Sequence, residues 1–366
     1  MVDVAIFLMD LSGGGAEKVM LSLAHGFTDA GMTVDLVLVK AEGPYLSQIS
    51  AQINTINLNK SRLILSLFPL ANYLKKVNPS VLISALEDTN LVSLWAKKIA
   101  GTATQTIVTV HNNLTCEARN SEKFKRKLIP YLVSFFYYWA DNIVGVSSGV
   151  AKDLMKLGLP ENKICYIYNP IVNSDLRKKL QEPLEHPWLS LNEPPVILSV
   201  GRLTKQKDFT TLIQAFSLVR KQKTTRLIIL GEGEEKPLLE SLVEELGLTK
   251  DVAFLGFVSN PYVFMAKASV LVLSSAWEGF GNVLVESMAS GTPVVSTNCD
   301  SGPAEILDDG KYGKLVSVGK AEDMANAILE TLLNPLEANT LKKRANEFTL
   351  EKAVQSYQLL MQDVLI

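Results

Sequence analysis

The 366-residue sequence is poor in residues that commonly mark metal, redox or nucleic-acid sites. It has only three cysteines, Cys116, Cys165 and Cys299, and they stand far apart, matching neither metal-finger nor redox spacing. We therefore expect ordinary buried thiols in a reducing compartment. The 36 basic residues nearly balance the 38 acidic ones, giving a net charge of -2. No overall positive field favours nucleic acid as a partner.

Long apolar segments are also missing. The longest apolar run, residues 129–140, is too short to span a bilayer as a helix. The first residues lack a basic stretch and have the pattern of a strand, so no signal peptide is predicted. These absences predict a cytoplasmic chain or one lying on a membrane surface.

Strand patterns alternate with helical periodicity along almost the whole chain. Many strand candidates are continuous apolar runs, which is typical of parallel strands buried on both faces. The candidates are residues 4–9, 34–39, 81–86, 106–111, 142–148, 164–169, 196–201, 226–231, 252–258, 270–275, 293–297 and 313–318. Because the chain is too long for one ordinary core, we predict an α/β protein of two tandem, doubly wound Rossmann-like domains whose parallel sheets face each other across a cleft.

The boundary between these domains is predicted from composition. Residues 173–195 are polar and rich in proline, with no clear strand, and are interpreted as a linker. The first domain then covers residues 1–172 and the second covers 196–345. A final helix occupies residues 346–366.

One loop combines acids and glycines at the edge of predicted core. In the segment 269–297, Glu278 and Glu286 flank the Gly-Phe-Gly at 279–281. The segment has the pattern of a buried strand, a loop and a helix, which places the loop where parallel sheets bind ligands. The glycines would let backbone approach a ligand, and the helix would present free N–H groups. The alternative is a turn acid followed by a solvent-facing helical acid.

The motif from Glu278 to Thr297, EGFGNVLVESMASGTPVVST, resembles the hallmark of family 4 of the retaining glycosyltransferases with the two-Rossmann GT-B fold. Further resemblances follow in the family's order and spacing: SGGGAEKVMLSLA (12–24), VGRLTKQKDFTTLIQAF (200–216), GEGEEKPLLE (231–240), FLGFVSN (254–260) and SGPAEIL (301–307). The resemblance implies an acceptor-binding first domain and a nucleotide-sugar-binding second domain. It also implies that the last helix crosses back to the first domain.

Two cations are candidates for stabilising a departing diphosphate. Arg202 and Lys207 follow the strand at 196–201 and so are expected at the same sheet edge as the Glu278 loop. A guanidinium fork and an ammonium both suit phosphate oxygens. The alternative is that they are ordinary loop charges. The resemblance implies that both contact the donor phosphates and, with Glu278 and His111, form the catalytic set.

The resemblance assigns further donor contacts. Glu286 would accept hydrogen bonds from the two ribose hydroxyls, and Glu278 would face the transferred sugar. Backbone near Val258 would hold the base. The predicted donor-binding set is Gly14, Gly15, Gly201, Arg202, Lys207, Gly231, Val258, Glu278, Gly279, Phe280, Gly281, Asn282 and Glu286.

In the first domain the signals are weaker. His111 ends a predicted strand and either plays a structural role or, by the resemblance, lies against the reacting sugar. Gly14 and Gly15 open a helix whose N-terminus favours an anion, although such glycines suit any tight turn. Glu17 could cap that helix instead. Asn169 either touches ligand or only shapes the hinge.

No Asp-x-Asp motif occurs, so the usual divalent-metal handle on a donor diphosphate is missing and no metal or other cofactor is predicted. In SGPAEIL, a single glycine replaces the more usual pair before proline. The resemblance associates such variants with UDP-hexose or UDP-N-acetylhexosamine donors in surface polysaccharide synthesis.

A basic and aromatic segment marks the first domain. Residues 117–128 carry five cations against two acids and lead into the apolar run at 129–140. The segment 119–139 is either a seat on anionic lipid or a solvated loop followed by a core helix. A lipid seat implies peripheral association with the inner face of the cytoplasmic membrane and a lipid-linked acceptor, of which a polyprenyl diphosphate is one form.

The sequence therefore predicts a metal-independent retaining transferase that moves a hexose or N-acetylhexosamine from a UDP-sugar to a lipid-linked or saccharide acceptor. A UDP-sugar epimerase of the same fold, a non-catalytic nucleotide-sugar-binding protein and a paired-carboxylate glycosidase are the alternatives.

Overall fold

The structure, a computed structural model, describes residues 2–365. The chain divides into two compact units. Unit 1 runs through Pro170 and also takes the segment from Leu350 onward, and unit 2 is Ile171–Thr349.

Unit 1 is built on a parallel sheet of seven strands in the order β3-β2-β1-β4-β5-β6-β7. Its strands are β1 (Val4–Leu8), β2 (Val34–Leu38), β3 (Asn54–Asn57), β4 (Val81–Ala85), β5 (Gln105–Val110), β6 (Asn142–Gly145) and β7 (Ile164–Tyr166). Its helices are α1 (Gly15–Asp29), α2 (Leu67–Val77), α3 (Glu87–Ala100), α4 (Leu114–Asn120), α5 (Phe124–Phe136), α6 (Ser148–Lys156) and the last helix of the chain, α15 (Leu350–Leu365). β1, β2, β4 and β5 are buried almost throughout, as their apolar runs predict.

Unit 2 repeats the plan with six parallel strands in the order β10-β9-β8-β11-β12-β13. Its strands are β8 (Val196–Val200), β9 (Arg226–Leu230), β10 (Val252–Gly256), β11 (Val270–Leu273), β12 (Val294–Thr297) and β13 (Lys314–Val316). Its helices are α7 (Ser174–Lys179), α8 (Phe209–Gln222), α9 (Lys236–Glu245), α10 (Tyr262–Lys267), α11 (Asn282–Ser290), α12 (Pro303–Leu307), α13 (Ala321–Leu333) and α14 (Ala338–Ala345). α8, α9 and α13 cover its main apolar core.

The prediction of two parallel-sheet Rossmann-like domains is confirmed. Each of the twelve predicted strands is present, usually ending one or two residues earlier, and β3 is an additional strand. Three of the four β3 residues are exposed and polar, so apolar patterning could not reveal it.

The segment 173–195 differs from its interpretation as a linker. It contains α7, whose N-cap Asn173 accepts a bond from the Leu176 N–H, and it belongs to unit 2. Asn260 donates to the Lys179 carbonyl and Lys267 to the Leu184 carbonyl, which fastens the segment to α10 and the loop before it.

The last helix, α15, packs on α1 of unit 1. The Tyr357 ring meets Phe27 edge-on at 5.9 Å. Gly26 makes room for this packing, because a Cβ there would lie 2.5 Å from a Val354 methyl group. The last helix of the chain therefore contributes to the core of unit 1.

Candidate functional site

Backbone hydrogen bonds join the carboxyl ends of β8, β9 and β10. The Gly201 N–H donates to the Leu230 carbonyl at 3.0 Å, and the Gly231 N–H donates to the Gly256 carbonyl at 2.7 Å. Gly231 has φ +137°, and a Cβ there would lie 2.0 Å from the Gly201 carbonyl oxygen. Gly201 and Gly231, both predicted donor-site residues, thus form a bare backbone ledge just before Arg202.

The central feature of unit 2 is a buried ion pair. Lys207 donates its Nζ to the Glu278 Oε1, and the two side chains are 17 % and 8 % exposed. Ser275 adds a hydroxyl bond of 2.6 Å to the same carboxylate oxygen. Two of the predicted residues are therefore in direct contact, and an ammonium and a hydroxyl both bind the acid at the sheet edge.

The loops that carry this pair are bonded to each other. The Gln206 side chain donates to the Trp277 carbonyl at 3.0 Å, and the Ala276 N–H donates to the Gln206 carbonyl at 2.8 Å. Ser274 donates its hydroxyl to the Lys207 carbonyl at 2.7 Å. The loop after β8 and the loop after β11 therefore hold the pair in a fixed position.

Arg202 stands at the start of the same loop with its side chain exposed to solvent. Within residues 2–365 it forms no ion pair, so its guanidinium is available to an anion. The Leu203 N–H donates to the Glu232 carbonyl at 2.8 Å and fixes the backbone beside it. This combination of a fixed backbone and an unpaired cation suits phosphate recognition.

The Gly-Phe-Gly turn leads directly into α11. Gly281 adopts φ +99° at the helix N-cap, a conformation that favours glycine. Phe280 is buried and meets Phe348 edge-on at 5.5 Å. A Cβ on Gly302 would lie 1.9 Å from the Phe280 carbonyl oxygen, so the SGPAEIL segment packs tightly on this turn. The first residue of α11 is Asn282, as expected from the motif.

Glu286 lies one turn into α11 with only 7 % of its surface exposed. The Tyr262 hydroxyl, from α10, donates to its Oε1 at 3.3 Å. Val258 follows β10 and is half-buried. The structure thus assembles Arg202, Lys207, Glu278 and Glu286 along one carboxyl edge of the unit 2 sheet.

Cys299 is a buried thiol close to Glu278. Burial, followed by the charge of Glu278, raises the pKa of the Cys299 thiol to about 12. It remains protonated at neutral pH and cannot serve as a nucleophile, as expected for an ordinary buried cysteine.

His111 follows β5 at the carboxyl edge of the unit 1 sheet. Its Nε2 lies 2.9 Å from the Thr109 hydroxyl, and burial lowers its pKa to about 4. The loop after it is fixed, because Asn113 caps α4 by accepting from the Cys116 N–H, and the Asp153 carboxylate accepts from the Leu114 N–H at 2.8 Å. A neutral imidazole is therefore presented at physiological pH.

The low pKa of His111 predicts a specific acid sensitivity. An unfolded histidine has a pKa near 6.5, so below that pH the unfolded chain takes up a proton that the folded chain refuses. The contribution of His111 to the free energy of unfolding is fully present above about pH 6.5 and is lost as the pH falls toward 4. Relative to His111→Gln, the wild type should lose on the order of 2 kcal/mol more unfolding free energy across this window. Urea unfolding at a series of pH values measures the difference, and parallel curves would contradict it.

The first glycine loop presents a different arrangement. Gly14 is the N-cap of α1 and Gly15 its first residue, with no side-chain cap. The Glu17 carboxylate folds back here, since a Cβ on Gly14 would lie 2.2 Å from Glu17 Oε2. An acid therefore covers the helix start where an anion was predicted. Asn169 is buried within the same unit.

A chain of polar contacts links the His111 loop to α5. Asn112 donates to Glu117 at 2.9 Å, Glu117 pairs with Arg126 at 3.4 Å, and Arg126 contacts Glu87 at 3.2 Å. Glu87 is 3 % exposed, and its second oxygen, Oε1, is buried without a hydrogen-bond partner. Burial, followed by the charge of Glu117, raises the pKa of Glu87. Arg126 thereby joins the starts of α3, α4 and α5.

The α5 helix has an apolar stripe on its solvent side. Phe124, Leu128, Tyr131 and Phe135 recur at helical spacing and are 74 %, 39 %, 73 % and 69 % exposed. Its opposite side buries Ile129 and Val133. The segment 119–139 thus has a helix with one side buried in the core and an apolar surface exposed on the other. It combines the core helix of one sequence-based alternative with the exposed apolar surface that the lipid-seat alternative requires. Among the residues described, no helix has the length and hydropathy needed to cross a bilayer.

Comparison with known proteins defines the class. The fold resembles Anabaena HepE, solved in complex with UDP and glucose, with a TM-score of 0.79 at 20% identity over 99% of this chain and 100% of that chain. A Campylobacter jejuni N-acetylgalactosamine-N,N'-diacetylbacillosaminyl-diphospho-undecaprenol 4-alpha-N-acetylgalactosaminyltransferase is 33% identical over 94% of this chain and 92% of its own. A Salmonella typhimurium lipopolysaccharide 1,6-galactosyltransferase is 26% identical over 85% and 84%. The architecture is that of GT-B glycosyltransferases.

Family matches cover both units. Residues 13–174 match Glycosyltransferase Family 4, and residues 181–348 match Glycosyl transferases group 1. The chain belongs to the family 4 glycosyltransferases, which confirms the family indicated by its motifs.

Sequence reasoning missed the partners of the two acids. Ser275 is three residues before Glu278, and a strand-end serine carries no signal of its role. Tyr262 lies in a different helix, and only the packing of α10 on α11 brings its hydroxyl to Glu286.

Proposed function

We propose that the protein is a retaining glycosyltransferase that moves a hexose or N-acetylhexosamine from a UDP-sugar to a lipid-linked saccharide in surface polysaccharide synthesis. The observation that carries the proposal is the edge of unit 2, where an exposed Arg202 and the buried Lys207–Glu278 pair share a fixed pair of loops. A nucleoside diphosphate sugar has groups that complement this site: its phosphates would contact the cations, and its sugar hydroxyls would contact the carboxylates.

The roles follow from chemistry. Arg202 and the Lys207 ammonium would neutralise the diphosphate as its bond to the sugar breaks, and fixed donors of this kind stabilise developing charge without reorganising. Glu286 would accept the ribose hydroxyls, with Tyr262 orienting its carboxylate. Glu278 would accept hydrogen bonds from the hydroxyls of the transferred sugar while Lys207 and Ser275 hold its carboxylate in place.

Retention at the sugar would proceed on one face. In this mechanism the leaving phosphate oxygen takes the proton of the acceptor hydroxyl, so the enzyme supplies no nucleophile. His111, kept neutral by burial, would contact the sugar without adding positive charge beside the cationic transition state. Metal independence belongs to the proposal, because two cations and helix N-termini would do the work of a metal.

Two relatives support the substrate classes. The C. jejuni relative is named for an undecaprenol diphosphate acceptor, and the S. typhimurium relative for lipopolysaccharide. Separate HepE structures hold UDP and glucose, UDP alone, or UDP-glucose. By similarity we propose a UDP-sugar donor and a lipid-linked acceptor for this chain.

A donor panel tests this function. The protein is incubated with individual UDP-hexoses and UDP-N-acetylhexosamines, with and without extracted lipid-linked saccharides, in the presence of EDTA. Products are read by mass spectrometry and the anomeric configuration by NMR. An α-linked product and UDP are expected. Isomerised donor, or UDP binding without turnover, would overturn the proposal.

The exposed stripe on α5 supports peripheral docking on the inner face of the cytoplasmic membrane. Aromatic side chains sit well at a lipid interface, and Lys123, Lys125 and Lys127 beside them favour anionic headgroups. The stripe and these lysines lie on one helix and its N-cap, so a single surface can bury the rings and meet the phosphates.

Removal of the aromatic rings should release the protein from vesicles. For Phe124→Ser/Tyr131→Ser/Phe135→Ser we expect at least a roughly tenfold loss of binding to phosphatidylglycerol-containing vesicles, because each ring contributes on the order of 1 kcal/mol or more. Flotation measures binding. The matched control, Leu191→Ser/Leu238→Ser/Leu333→Ser, removes side chains that are 94 %, 60 % and 69 % exposed in unit 2 and should bind normally. Equal binding by both variants would refute the docking surface.

A further inference from the structure

The threonine two residues before His111 contacts the histidine ring. Side chains two apart along a strand point to the same face, and the Thr109 hydroxyl lies 2.9 Å from His111 Nε2. The same hydroxyl lies 2.9 Å from the Ser84 carbonyl on the neighbouring strand β4. Thr109 is fully buried, so its hydroxyl bonds to protein groups and not to water.

These two contacts determine which nitrogen of the ring carries the proton. A carbonyl oxygen can only accept, so the Thr109 hydroxyl donates its single proton to the Ser84 carbonyl. The Met20 sulfur, at 4.0 Å, is a weaker acceptor. The hydroxyl oxygen is then left to accept a hydrogen bond from His111 Nε2. Nε2 therefore carries the proton, and in a neutral ring Nδ1 does not.

A buried side-chain amide holds Thr109 and Ser84 in this arrangement. The Asn90 Nδ2 donates to the Thr109 carbonyl and to the Tyr137 hydroxyl, both at 2.9 Å. The Asn90 Oδ1 accepts from the Ser84 hydroxyl at 2.7 Å. All four residues are buried, so a shift of β5 against β4 would break hydrogen bonds that water cannot replace. The Thr109 hydroxyl is therefore kept at a fixed place beside the ring.

The second ring nitrogen of His111 is left for a ligand. Nδ1 has no hydrogen-bond partner within residues 2–365, and it is not buried. The ring is neutral at physiological pH, because burial lowers the pKa of His111 to about 4. An unprotonated Nδ1 accepts a hydrogen bond from a hydroxyl or an amide N–H, but an ionised phosphate oxygen has no proton to donate to it. The tautomer thus decides which substrate groups His111 can contact.

We propose that Thr109 is a positioning residue whose hydroxyl fixes His111 in the Nε2–H tautomer, so that His111 meets the substrate through Nδ1 as a hydrogen-bond acceptor. This inference rests on the proposed function, in which His111 contacts the transferred sugar. Nδ1 then accepts from a hydroxyl or an N-acetyl amide of that sugar. Thr109 is buried and acts through His111. A ring without this partner would spend part of its time in the other tautomer, which cannot accept at Nδ1.

Nitrogen-15 NMR of the full chain with labelled histidine tests the tautomer. The chain has three histidines, and His111→Gln identifies the signals of His111. At neutral pH the wild type should show a protonated Nε2 and an unprotonated Nδ1. In Thr109→Val the Nε2–H loses its acceptor, so the Nδ1–H form should gain population. Thr109→Ser keeps the hydroxyl and should restore the wild-type pattern.

Thr106→Val is the matched control for the NMR measurement. It removes another buried hydroxyl from β5, one that bonds the Asp141 carboxylate at 2.8 Å near the opposite end of the strand. Both valine variants lose one buried hydroxyl from the same strand, but only Thr109→Val removes the partner of His111. The Thr106→Val signals of His111 should therefore match the wild type.

Sugar nucleotides test the acceptor role of Nδ1. UDP-glucose, UDP-N-acetylgalactosamine and UDP alone are added separately to the labelled protein. A bound sugar should move the Nδ1 signal of His111, whereas UDP should not. With a UDP-sugar that is turned over, Thr109→Val should lower kcat by roughly three- to tenfold, the cost of one impaired hydrogen bond, while UDP affinity stays unchanged. Thr109→Ser should recover kcat.

The outcomes separate the inference from the proposed function. A protonated Nδ1 as the main form of the wild type would overturn the inference, and so would a wild-type tautomer pattern in Thr109→Val. An Nδ1 signal that neither sugar nucleotide moves would overturn it as well. The tautomer is measured without turnover. A Thr109-dependent Nε2–H form, with an Nδ1 signal that responds to the sugar, in a protein that transfers no sugar would uphold the inference and reject only the transferase proposal.

Discussion

Turnover of a UDP-sugar should fall by roughly 100- to 1,000-fold when Lys207 is replaced by alanine, the range found when one preorganised charge-stabilising donor is removed. Two effects act together. The departing diphosphate loses its ammonium partner, and Glu278 loses the cation that holds it in place. Initial rates at saturating donor measure the first effect as a fall in kcat, and UDP titration calorimetry measures the accompanying loss of affinity.

The same change should destabilise the fold. Of the two side chains that bind Glu278, Lys207 and Ser275, the Lys207→Ala variant keeps only the Ser275 hydroxyl. The Glu278 side chain is only 8 % exposed. An unpaired buried charge is costly, and we expect a loss of about 2–3 kcal/mol of unfolding free energy. Lys207→Ala/Glu278→Gln removes that charge, so it should recover most of the stability while turnover stays low.

The double variant separates catalysis from folding. If it recovers both stability and rate, Lys207 acts only by neutralising Glu278, and its role toward the diphosphate is wrong. Lys205→Ala is the matched control, since Lys205 lies two residues earlier on the same loop with an exposed side chain. Its rate should stay within about twofold of the wild type.

The sequence was most informative where physical constraints act locally. Parallel strands buried on both faces require continuous apolar runs, so β1, β4 and β8 were recognisable from composition alone. The start of α11 was equally legible, because Gly281 at φ +99° and Gly291 at φ +87° bound a helix at positions that favour glycine. The edge strand β3, exposed on most of its residues, lacked both signals.

The environment of the site was not predictable, because it depends on contacts between distant segments. Lys207 and Glu278 are 71 positions apart, and only the adjacency of β8 and β11 in the sheet brings their loops together. For a related reason, the sequence left two alternatives open for the segment 119–139, a lipid seat or a core helix. A helix that is apolar on two sides has the composition of a buried helix, and only packing shows that Phe124 and Phe135 remain in solvent.

Gly231→Ala should damage both stability and nucleotide binding although it adds one methyl group. The Cβ would lie 2.0 Å from the Gly201 carbonyl oxygen, and φ +137° is strained for alanine, so β8 and β9 must move apart. We expect a loss of roughly 2–4 kcal/mol in unfolding free energy. Displacement of the Gly201 backbone also shifts Arg202, so UDP affinity should fall by about tenfold or more.

Gly247→Ala is the matched control for this change. Gly247 also has a positive φ, +70°, but no atom lies within 4 Å of a Cβ built there. Its cost should be limited to backbone strain of about 1 kcal/mol, with UDP affinity unchanged. Denaturant unfolding and UDP calorimetry are measured on both variants. Gly247→Ala gives the effect of backbone strain alone, and Gly231→Ala gives the effect of strain together with the steric clash against the Gly201 carbonyl oxygen. If Gly231→Ala behaves like Gly247→Ala in both measurements, the close approach of the β8 and β9 ends does not position Arg202, and the donor-binding role of this ledge fails.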